Sequence, residues 1–402
     1  SAASDVYKRQ VNNHNIYRGV VIMTIQVLKP KYHVEECLNE IRECLEIGWT
    51  GLGFKTVEFE NKWKEYTGHE NAHFLNSATV GLHLAVEILK KENGWENGDE
   101  IITTPITFVS TNHAVLYEKL IPRFADVDEY LCLDPEDVKR KINDKTRAVI
   151  FVGYGGRVGQ LDKIIKICKE HKLKLILDAA HMAGTRVNGQ MPGTWDGVDV
   201  AVYSFQAVKN LPTADSGMIC FHNKKYDEIC RKLTWLGINK DTYARNSGTK
   251  GSYKWKYDVE YLGYKDHGNS IMAAIGLVEL KYLDETNEYR RELARCYDEI
   301  FKNDPKIQII GAPHADECSY HIYEIAVDNR DGLLEYLQEN DIYPGVHYRD
   351  NTEYEMYSYD NGKCPNAHRM SNRIITMPLH MYLTKDDVKM IANKVIEFVN
   401  AQ

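Results

Sequence analysis

The sequence predicts an α/β fold, and three observations carry that prediction. Segments of helical period alternate with short apolar runs from about residue 23 to residue 245. The apolar runs are near-continuous, as strands buried on both faces of a mainly parallel sheet are. The residues able to carry chemistry fall just after those runs, at the strand ends where open α/β sheets gather ligands.

The elements follow in order. "YHVEECLNEIRECLEIG" has apolar residues at helical spacing and stops at Gly48. "TVEFENKWKEYTG" is a second amphipathic helix, ending at Gly68. "NAHFLNSATVGLHLAVEILKKENG" reads as strand, turn and helix, and "DEIITTPITFVSTNHAVLYEKL" repeats that order before the strand "IPRFADV". "TRAVIFVGYGG" is a strand closed by glycines, "LDKIIKICKEHK" a helix, and "LKLILDAAH" a strand. "DVAVYSF" and "GMICF" are strands on either side of "QAVKN".

The texture changes after about residue 245. "SYKWKYDVEYLGYKDHGNS" is a long aromatic loop, and "IMAAIGLVELKYLDETNEYRRELARCYDEIF" reads as one long amphipathic helix. "YHIYEIAV", "RDGLLEYLQEND", "IYPGVHY" and "TKDDVKMIANKVIEFVNA" then read as strand, helix, strand and helix, a smaller α+β unit. The expected organisation is a non-native or disordered tail over 1–22, a large α/β domain over 23–245 and a small domain over 246–402. Met23 suits a natural start, because "SAASDVYKRQ" shows no structural period.

Composition bounds the function. The chain has 402 residues, 43% hydrophobic and 27% charged, with a formal net charge of −8. A mildly acidic chain is a poor ligand for nucleic acid, which is bound by neutralising phosphates. No run of 18 apolar residues is present, so no membrane span is expected. Nine scattered cysteines without C-x-x-C spacing suggest reduced thiols in the cytoplasm rather than a disulfide framework or a metal site.

Asp178 directly follows a strongly apolar strand, where a carboxylate is costly unless paired. A cationic partner or a helix-capping role would both account for it. Lys209 also follows an apolar strand; desolvation there would make it a usable nucleophile, whereas a solvated loop lysine is the ordinary alternative. Ser77, Ala78 and Thr79 precede a helix beginning near Val80, and free N–H groups at such a terminus bind phosphate or are simply capped. Ser204 and Phe108 are a hydroxyl and an aromatic at further strand ends. Together these parts suit pyridoxal phosphate, which needs a Schiff-base lysine, an acid on the pyridine nitrogen, a stacking surface and an anion site.

Eight blocks in order resemble the DegT/DnrJ/StrS-type sugar aminotransferases, over nearly all of Met23 to Phe398. Among them are "GWTGLGFKTVEFENKWKEYTG", "NSATVGLHLAV", "LILDAAHMAGT", "YSFQAVKNLPTADSGM" and "MPLHMYLTKDDV". The resemblance implies a pyridoxal-phosphate-dependent fold type I enzyme, with a mainly parallel seven-stranded sheet and a smaller C-terminal α+β domain. It implies Lys209 as the Schiff-base lysine and Asp178 on the pyridine nitrogen. It implies His181 near the phenolic oxygen, Phe108 on the ring, and Ala78, Thr79 and Ser204 on the phosphate. His347 and Tyr348 match a substrate-side motif. A homodimer with shared active sites would bring the loop from Gly263 to Ser270 into the partner's site.

Three departures stand out. Lys265 and His267 occupy the places of the family's usual Asn and Arg, so Lys265 would supply a cationic phosphate contact and His267 a substrate contact. "ADSG" replaces "GEGG" after the lysine, and Ala78 replaces a glycine of the phosphate turn. The implied reaction moves an amino group from glutamate or glutamine to a keto group of a nucleotide-linked sugar, with pyridoxamine 5'-phosphate between the two halves. A related sugar dehydratase would carry His at position 209. A non-enzymatic cofactor-binding regulator is the third alternative on this fold.

Overall fold

A computed structural model describes residues 24–239 and 257–402. The expected tail over 1–22, and the part of the aromatic loop before residue 257, lie outside the described residues. A short strand, β1 (Ile25–Gln26), comes first. Seven strands then build one sheet: β2 (Asn71–Leu75), β3 (Glu100–Thr103), β4 (Ile121–Phe124), β5 (Thr146–Val152), β6 (Lys174–Asp178), β7 (Val200–Ser204) and β8 (Gly217–Phe221). Their order is β2-β8-β7-β6-β5-β3-β4. Only β8 runs antiparallel to its neighbours in this sheet. The expected seven-stranded, mainly parallel α/β domain is the one found.

The strands are continuous apolar runs because both faces are covered. Leu175 and Leu177 of β6 join one core cluster while Ile176 joins the other, and Ala201 and Val202 of β7 divide in the same way. Leu175, Ile176 and Leu177 are wholly buried. Each such side chain contributes roughly 1.5–3 kcal/mol relative to exposure. Three of them offset the several kcal/mol of drawing one carboxylate inward at the strand end.

The sheet's register sets the site. Val152 pairs with Asp178, Asp178 with Val202, and Ser204 with Gly217, so the ends of β5, β6 and β7 form one edge. Leu75 pairs with Gly217, which brings the end of β2 to the same edge. The helix Ala78–Asn93 starts there, capped by Ser77, whose Oγ accepts a hydrogen bond from the Val80 N–H at 3.3 Å. Gly217 permits this approach. A Cβ on it would lie 2.7 Å from the Ala78 nitrogen and 2.8 Å from the Tyr203 oxygen.

A second, smaller unit carries β9 (Gln308–Ile309), β10 (Tyr323–Ala326), β11 (Ile342–Tyr343) and β12 (Ile374–Met377). β10 is the middle strand between β9 and β12, and β1 pairs with β11. The chain's first described strand therefore belongs to the same layer as its last third. "IYPGVHY" is a strand only over Ile342–Tyr343; beyond it a bridge joins Gly345 to Thr376, and the chain then turns inward. The expected long helix is two helices, Ser270–Leu280 and Leu283–Phe301. The first packs on the helices Val34–Ile47 and Phe54–Thr67, the second on the helix Lys385–Asn400. Two different partners require two axes, and the break at Lys281–Tyr282 supplies the change of direction.

A buried ion pair ties the units together. Arg157, in the loop after β5, meets Glu324 of β10 at 2.9 Å with both side chains almost wholly buried. Arg157 also donates to the Gly311 and Ile310 carbonyls. Breaking such a pair from one side costs about 3–5 kcal/mol, because the remaining charge is stranded.

The tight seam at Gly217 gives a stability prediction. Gly217→Ala should push the Ser77–Ala78 turn off β8 and destabilise the protein by about 1–3 kcal/mol. Urea unfolding would read this, and an unchanged midpoint would show that the seam yields freely.

Candidate active site

A cavity of about 480 Å³ opens at the common strand edge, within the range that holds a cofactor. Its walls come from the turn before the helix Ala78–Asn93, the segment after β3, the ends of β6 and β7, and the second unit. Lys209, Asp178, Ala78, Thr79, Phe108, His181, Ser204, His347 and Tyr348, all expected from the sequence, line it.

Asp178 closes β6 and is 3% exposed. Its Oδ2 accepts from the Thr111 hydroxyl at 2.7 Å and its Oδ1 from the Ala180 N–H at 3.1 Å. Burial nevertheless pushes its pKa up, against those two hydrogen bonds and the Lys209 charge. Lys209 lies in the turn after β7, with its backbone N–H bonded to the Gln206 carbonyl at 2.8 Å. Burial drives its amine down to about 8, while the Asp178 charge acts the other way. Desolvation thus outweighs the attraction between acid and base at both ends. Lys209 therefore gives up its proton far more readily than an ordinary lysine does.

The surrounding imidazoles are held neutral by the same dryness. Burial pulls His181 and His321 well below the ordinary range and takes His347 to about 4, with the Lys209 charge acting in the same direction on all three. The Gly155 N–H donates to His181 Nδ1 at 3.1 Å, so the His181 proton sits on Nε2 and faces the Tyr348 hydroxyl at 3.2 Å. His347 Nδ1 meets the Thr376 hydroxyl at 2.9 Å, and its carbonyl accepts from the Tyr154 hydroxyl.

Phe108 differs from a core residue. It is 59% exposed at the cavity mouth, with its ring centroid 6.1 Å from that of Tyr348. Lys265 and His267 do not join this cavity within the chain. Lys265 Nζ sits 3.2 Å over the Trp235 ring, and the His267 ring centroid is 4.8 Å from it. They belong to a segment bridged to Trp235 and Leu75, which holds them on the far side of β2. No metal was expected; His83, Glu87 and Glu118 do bring ligand atoms within 4.8 Å of one another, but His83 and Glu118 already pair at 3.0 Å.

Thr111 and His321 are among the cavity residues that escaped the sequence reading. Thr111 lies in the first turn of the helix Ser110–Tyr117, after β3, and reads as ordinary helix; its hydrogen bond to Asp178 depends on the β3–β5–β6 order. His321 precedes β10 and sits 112 residues from Lys209, yet its Nε2 is 3.5 Å from Nζ. No spacing rule links those positions.

The donor set fits pyridoxal phosphate. The amine and the carboxylate line one cavity, and an exposed aromatic face stands at its mouth. The first N–H groups of the helix Ala78–Asn93 lack intrahelical acceptors, and Ala78, Thr79 and Ser204 line the same cavity beside the Gly217 seam.

Comparison with known proteins agrees with this geometry. A model described as the DegT/DnrJ/EryC1/StrS aminotransferase family matches residues 31–396. The spore coat polysaccharide biosynthesis protein SpsC of Bacillus subtilis is 32% identical over 378 residues, 91% of this chain and 95% of that protein. The aminotransferase TlmJ from Streptoalloteichus hindustanus superposes with a TM-score of 0.85 at 31% identity, covering 94% of this chain and 99% of that one. Helicobacter pylori PseC, an aminotransferase of pseudoaminic acid biosynthesis, also gives 0.85, at 25% identity over 94% of this chain and 100% of that one.

The dry amine is directly measurable. In the full chain without added cofactor, modification of Lys209 by an amine-directed reagent should rise with pH around a midpoint near 8. Asp178→Asn removes the charge that favours the ammonium, so its midpoint should fall below 8. A midpoint near the ordinary lysine value of about 10.4 would mean that the cavity is wet.

Proposed function

The chain belongs to the DegT/DnrJ/EryC1/StrS aminotransferase family and is a pyridoxal-phosphate-dependent aminotransferase, and from that premise we propose that it aminates a nucleotide-linked keto sugar. Glutamate or glutamine is the amino donor. The product serves a surface polysaccharide or related glycan, a reading supported by the likeness to SpsC and PseC. The observation that carries the chemistry is the desolvated Lys209 amine beside Asp178 at the sheet's ligand-binding edge.

The residues divide the work. Lys209 would hold the cofactor by its aldehyde between turnovers. Asp178, with Thr111 and the Ala180 N–H fixing its oxygens, would hold the ring nitrogen. Phe108 would cover the ring, His181 would stand by its phenolic oxygen, and Ala78, Thr79 and Ser204 would take the phosphate. When bound, the cofactor supplies an electron sink for the donor's Cα. Lys209 Nζ takes the Cα proton as a free amine and returns it as an ammonium, a role its midpoint near 8 suits. His347 and Tyr348 lie on the substrate side of the cavity.

A homodimer completes this reading. Leu262 is 92% exposed and Val259 64%, apolar side chains on the same loop that carries Lys265 and His267. A second copy would cover them and bring Lys265 to the partner's phosphate and His267 to its substrate. The nine cysteines are free thiols, eight of them buried, which suits a reducing cytoplasm.

Two outcomes test the proposal. Lys209→Ala should lose both the covalently held cofactor, seen as its absorbance band, and amino transfer from ¹⁵N-labelled glutamate or glutamine to nucleotide keto sugars, followed by mass spectrometry. Normal turnover in that variant would sink the idea. Sedimentation of the wild-type protein should give a dimer, and Leu262→Asp should shift it towards monomer.

A further inference from the structure

A run of buried amides leads from the core to the reactive lysine, and every direction in it is determined. Asn287 lies on the helix Leu283–Phe301, and its Nδ2 faces the Ala183 carbonyl at 2.9 Å. A carbonyl can only accept, so Asn287 turns its Oδ1 the other way, where it accepts from Asn210 Nδ2 at 2.7 Å. Asn210 Nδ2 also donates to the Ser319 carbonyl at 2.7 Å. Both N–H bonds of that amide are then used, and Asn210 Oδ1 is left facing His321 Nδ1 at 3.1 Å. Only a donor satisfies that oxygen, so the His321 proton is on Nδ1. A neutral imidazole carries one such proton, which leaves a bare lone pair on Nε2, 3.5 Å from Lys209 Nζ.

We propose that His321 is a positioning residue for Lys209: its Nε2, kept bare by the Asn287–Asn210 relay, accepts from the amine and fixes where Nζ points. The amine donates in both protonation states, so one bare acceptor serves the free lysine whether or not it carries the extra proton. At 3.5 Å the contact is long, which suits an anchor that must release the lysine and take it back.

Burial above all keeps the ring neutral. His321 is 2% exposed, and the Lys209 and Arg290 charges disfavour its imidazolium as well. Arg290, from the same helix as Asn287, donates to the His321 carbonyl at 3.3 Å. His181, after β6, places its tilted ring with the centroid 4.3 Å away and carries its proton on the opposite nitrogen. Around Lys209 itself the titratable neighbours are Asp178, His181, His321 and His347, and only Asp178 favours the ammonium by its charge.

This inference rests on Lys209 as the reactive amine, and its test separates the two. In the full chain without added cofactor, ¹⁵N NMR of labelled histidine should show His321, assigned by the loss of its signals in His321→Gln, with Nδ1 protonated and Nε2 bare. A proton on Nε2 overturns the proposal and leaves the role of Lys209 untouched. His321→Leu removes the acceptor, and the Lys209 midpoint should fall by about half to one unit. His321→Gln places an oxygen at the reach of Nε2 and should hold the midpoint within about 0.3 unit of wild type. No fall in the leucine variant, or equal falls in both, overturns the proposal as well.

Discussion

The removal of water from the Lys209 amine is the constraint on which the rest of the site depends. Burial lowers Lys209 to about 8 and raises Asp178, although each charge would stabilise the other. Had the pair's attraction won, an ammonium and a carboxylate would face one another as a plain ion pair. The amine would then be a poor nucleophile and a poor base. Because desolvation wins, the two groups are drawn closer in proton affinity than a free lysine and a free aspartate are, and a proton moves at smaller cost.

That dryness is built by backbone as much as by side chains. The edge where β6 and β7 end is sealed on one side by the Gly217 seam, which lets the helix Ala78–Asn93 begin against the strand ends. On the other side the second unit closes it. Arg157 and Glu324 lock the two units, and the Tyr154 hydroxyl meets the His347 carbonyl beside the cavity. The relay from Asn287 through Asn210 to His321 runs along the same join. The second unit is therefore part of the catalytic cavity, and the lock is placed where a gap would admit water.

Much of this was legible in the sequence, and the reason is physical. An apolar strand that ends on a carboxylate is an expensive arrangement, so Asp178 stood out before any geometry was known, and Lys209 gained weight only as part of the set at the strand ends. The Ser77–Thr79 turn was legible because a strand–hydroxyl–helix sequence has few structural solutions, and Ser77 is indeed the cap. The long helix was misread because helical period continues through Lys281 and Tyr282; only the two separate packing partners reveal the break. Phe108 looked like either core or plate, and its exposure at the cavity mouth separates those readings.

The sequence by itself determined the α/β class and the strand ends at which the candidate acid and amine fall. Those features are local: they follow from apolar periodicity and from the cost of charge beside it. The tertiary structure alone decided the neutral state of the imidazoles, the Thr111 bond to Asp178, and the approach of His321 to Lys209 across 112 positions of chain. Such features depend on strand order, burial and the direction of hydrogen bonds between distant segments. A linear pattern holds none of these, because each arises only when remote parts of the chain meet.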